Sequence, residues 1–289
     1  MKQKPRIGFI GTGVMGTSMA GHLLDADYPV RVFNRTPLKA ESLIAKGAVL
    51  AESIADLAAE SDVVVSIVGF PKDVEEIYLG KAGIIANAPF GAILIDMTTS
   101  RPDLAIKIHK DASARKIASL DAPVSGGDIG AREARLSIMV GGEEDVFNQV
   151  KPLFAVMGKN IVYQGNPGSG QFTKMCNQIA IASGMLGICE AMAYAEKSGL
   201  DPTLVLKSIE SGAAGSWSLS NLAPRMLKGD FAPGFFVKHF IKDMGIAAES
   251  AGAMNLEIPG LLLAKAQYEK LAEQGGADDG TQALYKLYE

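Results

Sequence analysis

A short apolar strand pattern, Ile7-Gly8-Phe9-Ile10, runs directly into Gly11-Thr12-Gly13-Val14-Met15-Gly16 and then into a helical stretch from Thr17 to Leu24. A second apolar stretch, Val30-Arg31-Val32-Phe33, follows at the distance a crossover helix requires. A glycine triplet at this spacing, after a strand and opening a helix, is the fingerprint of a βαβ unit that cradles a dinucleotide. Gly11 serves the tight turn, Gly13 lets the backbone approach a pyrophosphate, and Gly16 lets the helix lie close on the strand. The helix start then offers unpaired N–H groups and a partial positive charge to phosphate. Thr12, Val14 and Met15 complete the cofactor loop between the glycines.

The end of the second strand selects the dinucleotide. An NAD enzyme places Asp or Glu there to accept hydrogen bonds from the ribose 2′-OH. This chain carries Asn34-Arg35-Thr36 instead. A carboxylate would repel a 2′-phosphate, whereas a guanidinium pairs with it bidentately and stacks on adenine. The three residues therefore favour NADP, with NAD as the weaker alternative. The bland reading of Arg35 is a solvated loop charge.

A chain of 289 residues is long enough for two domains of roughly 100–200 residues each. With 48% hydrophobic and 21% charged residues it can bury real cores. A net charge of −4 without any Lys/Arg run argues against a nucleic-acid partner. The apolar stretch at 179–189 is too short to span a bilayer, and the first apolar run is the glycine-motif strand rather than a signal segment. A soluble cytoplasmic protein with no membrane partner is expected. Cys176 and Cys189 lie thirteen positions apart on one expected helix, about 20 Å along its axis, so they do not pair with each other. His22, His109 and His239 are scattered, and no metal site is expected.

Up to residue 164 strand and helix patterns alternate, with strands expected at 7–10, 30–33, 63–68, 92–95, 119–121, 137–140 and 161–164. Near-continuous apolar runs such as Val63-Val64-Val65-Ser66-Ile67-Val68 fit strands buried on both faces of a parallel sheet. After Gly165-Asn166-Pro167-Gly168-Ser169-Gly170 the composition shifts, and helical patterns run at 171–197, 202–210, 220–227, 238–253 and 260–274. The expected fold class is α/β: a Rossmann-type doubly wound sheet over 1–164, followed by an all-α domain over 165–289 that opens with a long interdomain helix.

Ligands of such sheets sit outside the carboxyl ends of the strands. Beyond the glycine loop, three exits carry suitable chemistry. Val68-Gly69-Phe70-Pro71 can wall a nucleotide, with Val68 and Pro71 as contacts. Asp96-Met97-Thr98-Thr99-Ser100 brings hydroxyls to the nicotinamide side. Asp121-Ala122-Pro123-Val124-Ser125-Gly126-Gly127 sets a hydroxyl beside exposed backbone N–H groups, a nest suited to a carboxylate; its bland alternative is a tight turn without ligand. Farther on, Lys174-Met175-Cys176-Asn177-Gln178 opens the long helix, where Lys174 and Gln178 share a face and Asn177 lies beside them. Burial at that place would lower a lysine pKa toward that of a general acid or base. The alternative is a solvated side chain.

The glycine fingerprint, Asp121–Gly127, Gly168-x-Gly170-x-x-x-Lys174 and Phe236-Val237-Lys238-His239-Phe240-Ile241-Lys242-Asp243 together resemble the β-hydroxyacid dehydrogenases over essentially the whole chain. That family includes 3-hydroxyisobutyrate dehydrogenases, tartronate semialdehyde reductases and glyoxylate/succinic semialdehyde reductases. The resemblance implies that Ser125, Gly126 and Gly127 hold a substrate carboxylate, and that Lys174 donates and accepts the proton. It also implies that Thr99 touches the nicotinamide side and that Lys242 reaches the cofactor or substrate. Many members carry Asn four residues after the lysine. This chain has Gln178 there and Asn177 one position earlier, so which amide meets the substrate stays open. The implied substrate is a small carboxylate-bearing aldehyde or its hydroxy acid, and the implied assembly a homodimer or homotetramer. A non-catalytic NADP-binding sensor or scaffold is the rival, for which neither the lysine nor the nest is needed.

Overall fold

A computed structural model describes residues 4–288. The chain divides into two compact units, Met1–Lys174 and Met175–Glu289. In the first, strands and helices follow as β1 (Ile7–Ile10), α1 (Val14–Asp25), β2 (Val30–Phe33), α2 (Glu41–Ala45), β3 (Val49–Leu50), α3 (Ile54–Ala59), β4 (Val63–Ser66), α4 (Pro71–Leu79), α5 (Ile84–Asn87), β5 (Ile93–Asp96), α6 (Pro102–Ser113), β6 (Ala118–Asp121), β7 (Val124–Ser125), α7 (Gly127–Arg132), β8 (Leu136–Gly142), α8 (Glu144–Met157) and β9 (Gly158–Gly165). Helix α9 (Ser169–Lys197) then opens the helical remainder: α10 (Pro202–Ile209), α11 (Trp217–Met226), α12 (Val237–Ala253), α13 (Pro259–Glu273) and two 3₁₀ segments.

The sheet order is β3-β2-β1-β4-β5-β6-β8-β7, with β9 paired to β8. From β3 to β6 every pairing is parallel. The order reverses between β1 and β4, the switch point outside whose carboxyl ends doubly wound folds bind nucleotides. Strand β8 runs antiparallel to β6 and β7, which closes the sheet with a reversed edge.

The apolar runs are explained by two cores. Val63, Val65, Ile93 and Ile95 face one, together with Met19 and Leu23 of α1 and Phe147 and Phe154 of α8. Val64 and Leu94 face the other, with Leu57, Val74, Tyr78, Leu104 and Ile108. Successive residues alternate faces, so a strand covered on both sides has no polar position to spare. The second unit has its own core, in which Ala182, Met185, Cys189 and Met192 of α9 meet Phe240, Met244 and Tyr268. Helix α9 extends well past the apolar stretch at 179–189. By length, and with a mean hydropathy of 1.3 over its most apolar 18-residue window, it could cross a membrane; its apolar stripe packs within this core.

Departures from expectation are local. Strands β3 and β7 have two residues each, too short to leave a pattern of alternation, and β7 places Ser125 at a strand end rather than in a free loop. Helix α11 begins at Trp217 rather than 220, because the Ser216 hydroxyl caps it by accepting Leu219 N–H at 3.0 Å.

Candidate functional site

The glycine loop folds as its sequence requires. Gly11 adopts φ +98°, and a Cβ there would stand 2.0 Å from the Ile67 carbonyl oxygen; one on Gly16 would stand 1.9 Å from that of Gly11. A Cβ on Gly13 would meet nothing within 4 Å. Two glycines thus serve close packing, and the third keeps the backbone open at the start of α1. No side chain caps that helix, and no acidic residue stands in its first turn. An open glycine beside uncapped helix amides fits a dinucleotide pyrophosphate.

At the end of β2, Asn34 Oδ1 accepts Thr36 N–H at 2.9 Å and so shapes the turn. The Arg35 side chain is 77% exposed, and its Nη1 lies 3.1 Å from Asp73 Oδ1. Asp73, in the first turn of α4, also accepts Phe70 N–H at 3.0 Å. One carboxylate therefore ties the Arg35 guanidinium to the loop that holds Pro71. Val68 N–H donates to Thr98 Oγ1 at 3.0 Å, joining the exits of β4 and β5.

Behind this rim lies a buried polar chain. Tyr78 Oη and Ser66 Oγ are 2.8 Å apart, and Ser66 Oγ donates to Asp96 Oδ1 at 2.9 Å. Thr98 N–H reaches the same oxygen at 3.1 Å. Burial pushes the Asp96 carboxyl up to about 6; hydrogen bonds from Thr98 and Ser66 oppose the rise and the nearby Asp121 charge adds to it. Burial likewise raises the Asp121 carboxyl, against the backbone amides of Gly168 and Gln171.

Ser125 ends β7, and Gly126 and Gly127 follow at φ +132° and +60°, a region that favours glycine. Helix α7 starts at Gly127, so the backbone N–H groups of its first turn follow Ser125 directly in the chain. Lys174, one turn inside α9, is 6% exposed; the solvated reading of this lysine is excluded. The glycine loop, Thr99, the nest and Lys174 all belong to the first unit.

The remaining candidates lie in the second unit. Gln178 is 2% exposed and committed at both ends: its Nε2 donates to Asp243 Oδ2 at 2.6 Å, and its Oε1 accepts Asn177 Nδ2 at 2.7 Å. Lys242 Nζ stands 3.0 Å from Asp243 Oδ1. Asp96, Asp121, Gln171 and Asp243 carry no motif that marks them as site residues in the sequence. Acids closing two adjacent strands were the available signal for the first pair.

The fold and this edge define a dinucleotide-binding protein. Residues 6–165 match the family model for the NAD-binding domain of 6-phosphogluconate dehydrogenase, and residues 168–288 that for the NAD-binding region of NADP-dependent 3-hydroxyisobutyrate dehydrogenase. The chain is 62% identical over 285 residues to an uncharacterised oxidoreductase of Bacillus subtilis, covering 99% of both chains. It is 37% identical to the 2-hydroxy-3-oxopropionate reductase of Escherichia coli, covering 98% of this chain and 97% of the relative. The solved structure of Mycobacterium tuberculosis 3-hydroxyisobutyrate dehydrogenase with L-serine superposes with a TM-score of 0.91 at 30% identity, covering 98% and 99%. The chain belongs to the β-hydroxyacid dehydrogenase family, as an NAD(P)-dependent hydroxyacid dehydrogenase of the 3-hydroxyisobutyrate dehydrogenase type.

The Asp96 carboxyl has a consequence for stability. Unfolded, it ionises near the ordinary 3.8; folded, it keeps its proton up to about pH 6. Unfolding between these values releases a proton, so this group's contribution is present at low pH and is lost as pH rises from about 4 to about 6, by on the order of 2–3 kcal/mol. Asp96→Asn is neutral throughout. In denaturant titrations at pH 4.5 and 7, the stability of the variant relative to the parent should rise with pH, and a pH-independent difference would refute the assignment.

Proposed function

We propose that the protein interconverts a short carboxylate-bearing aldehyde and its hydroxy acid with NADP(H), using Lys174 as proton donor and acceptor. The observation that carries the reading is a lysine buried in the opening turns of α9, in the same unit as the glycine loop and the Ser125-Gly126-Gly127 nest. A bound nicotinamide supplies or takes up the hydride. In the reductive direction the carbonyl carbon gains that hydride, the π pair moves to oxygen, and the oxygen takes the proton held on Lys174 Nζ; oxidation reverses both transfers. The Ser125 hydroxyl and the neighbouring backbone N–H groups orient the carboxylate. Gly11 to Gly16, Asn34 to Thr36, Val68, Pro71 and Thr99 hold the cofactor. Of the two amides, Asn177 is the better candidate to meet a ligand, since Gln178 is already bonded at both ends.

The named relatives support this substrate class: one is a 2-hydroxy-3-oxopropionate reductase, and another a 3-hydroxyisobutyrate dehydrogenase solved with L-serine. None of them supports the rival of a non-catalytic sensor. No additional arginine stands in the nest or lysine motifs, and an unpaired buried anion is costly, so the substrate carries one carboxylate and two to four carbons. NADP preference rests on Arg35 and on the absence of a carboxylate at residues 34–36. We further propose a homodimer or homotetramer, supported by Tyr194, Leu262 and Leu263, which the helical unit leaves more than half exposed.

Three measurements test these proposals. A panel of semialdehydes and their amides, assayed by nicotinamide oxidation, should show the acids turned over at least about tenfold faster, and Lys174→Ala should lower kcat by about 10² or more with cofactor affinity retained; equal turnover of acid and amide, or an active Lys174→Ala, overturns the site. NADPH should exceed NADH in kcat/KM, and Arg35→Asp should reverse the order by placing a like charge at the 2′-phosphate. Light scattering at micromolar concentration should read a dimer or tetramer, and a monomeric mass would end the assembly proposal.

A further inference from the structure

Helix α9 begins against a carboxylate that belongs to the sheet. Gly168 N–H donates to Asp121 Oδ1 and Gln171 N–H to Asp121 Oδ2, both at 2.8 Å. Asp121 closes β6, so the last side chain of a central strand satisfies backbone donors that a helix start otherwise leaves without partners. The seat is tight: a Cβ on Gly170 would stand 2.4 Å from the Met139 carbonyl oxygen, and one on Gly141 2.7 Å from Gly170 N. The helix start thus lies close on β6 and β8, with the Asp121 carboxylate held between them.

Gln171 extends the contact sideways. Its side chain is fully buried; Oε1 accepts Ser100 N–H at 2.8 Å, and Nε2 donates to the Thr98 carbonyl at 2.7 Å. Thr98 in turn is held by Asp96 through its N–H and holds Val68 N–H through its hydroxyl. The exits of β4, β5 and β6 and the first turn of α9 are therefore one hydrogen-bonded assembly. Gln171 is the member that reads the loop 98–100 with both ends of its amide. Lys174 follows it by three residues, less than one helical turn.

We propose that Gln171, seated by Asp121, is a positioning residue that sets Lys174 in register with the Thr98-Thr99-Ser100 loop. The inference rests on the reading of Lys174 as the proton donor. A helix joined to the sheet only by apolar contacts could slide or rotate by a fraction of an ångström at little cost. Two directional bonds from a planar amide to consecutive stretches of one loop remove that freedom. Misplacement of a reacting group by about 1 Å costs on the order of 10²-fold in rate, so the device acts on kcat rather than on cofactor affinity.

The test uses the full-length protein and three substitutions. Gln171→Met keeps the volume but leaves Ser100 N–H and the Thr98 carbonyl unpaired. Its kcat should fall by about 10- to 100-fold, with the NADPH dissociation constant and the substrate KM within about threefold of the parent. Gln171→Glu restores the acceptor at all pH values and the donor only when protonated, so its kcat relative to that of Gln171→Met should rise as pH is lowered. If the methionine variant does not fold, the glutamate variant carries the same comparison alone, its kcat being referred to the parent at each pH. Lys174→Ala serves as the reference for the underlying reading: if it remains active, the proton-donor assignment fails. If it is inactive while a folded Gln171→Met retains the parental kcat, or if the change falls on KM and NADPH binding with kcat intact, the positioning role is wrong.

Discussion

A sheet covered on both faces favours polar side chains at the ends of its strands, and each of three neighbouring strands delivers one at its carboxyl end. Ser66, Asp96 and Asp121 close β4, β5 and β6 and are all at most 6% exposed. A buried carboxylate without partners is untenable, so the loops leaving these strands must bend back to supply donors. Thr98 N–H serves Asp96, and Gly168 and Gln171 serve Asp121. The shape of this edge follows from satisfying these groups. The loops stand where they do because the acids beneath them need hydrogen bonds.

The same requirement separates two helix starts that look alike in sequence. Both helices open at a Gly-x-Gly element, which precedes α1 and runs into the first turn of α9, and both have first-turn N–H groups without a partner inside the helix. At α9 the protein fills the position with its own carboxylate, Asp121. At α1 neither a side-chain cap nor a first-turn acid is present, and the glycine at the cap opens onto free space. An anion can therefore bind at the first and is already built in at the second. A glycine pair at a helix start marks close backbone approach; what approaches is decided by the neighbouring strand.

Most of the sheet was legible in the sequence because strands buried on both faces carry an apolar signal that no loop imitates, and the cofactor loop because its glycines are dictated by local geometry. Strand ends drifted by one to three residues, as with 63–68 against Val63–Ser66, since Ile67 and Val68 continue the apolar run after the ladder stops. The two-residue strands β3 and β7 depend on pairing with β2 and β8, which is invisible locally. Lys174 and the Ser125-Gly126-Gly127 turn could be singled out as candidates by type and spacing. Asp121 and Gln171 are 50 residues apart, so their union is a product of the sheet order alone. The ion pair between Arg35 and Asp73 is of the same kind: Arg35 is legible at the end of the second strand, and only the fold supplies its partner.

Along α9 a second carboxylate repeats the pattern. Asp243, 1% exposed, takes Gln178 Nε2 on one oxygen, and Lys242 Nζ lies 3.0 Å from the other. A buried charge with a cation and an amide against it is costly to disturb. Removing Lys242 would thus unsettle Asp243 and Gln178 as well as any ligand contact the family resemblance assigns to that lysine. The segment 168–178 therefore has an acid-bound amide at each end, Gln171 by its backbone and Gln178 by its side chain, with Lys174 between them. Each anchor is satisfied within its own unit, and together they account for a polar stretch at the head of a helix that is otherwise apolar enough to cross a bilayer.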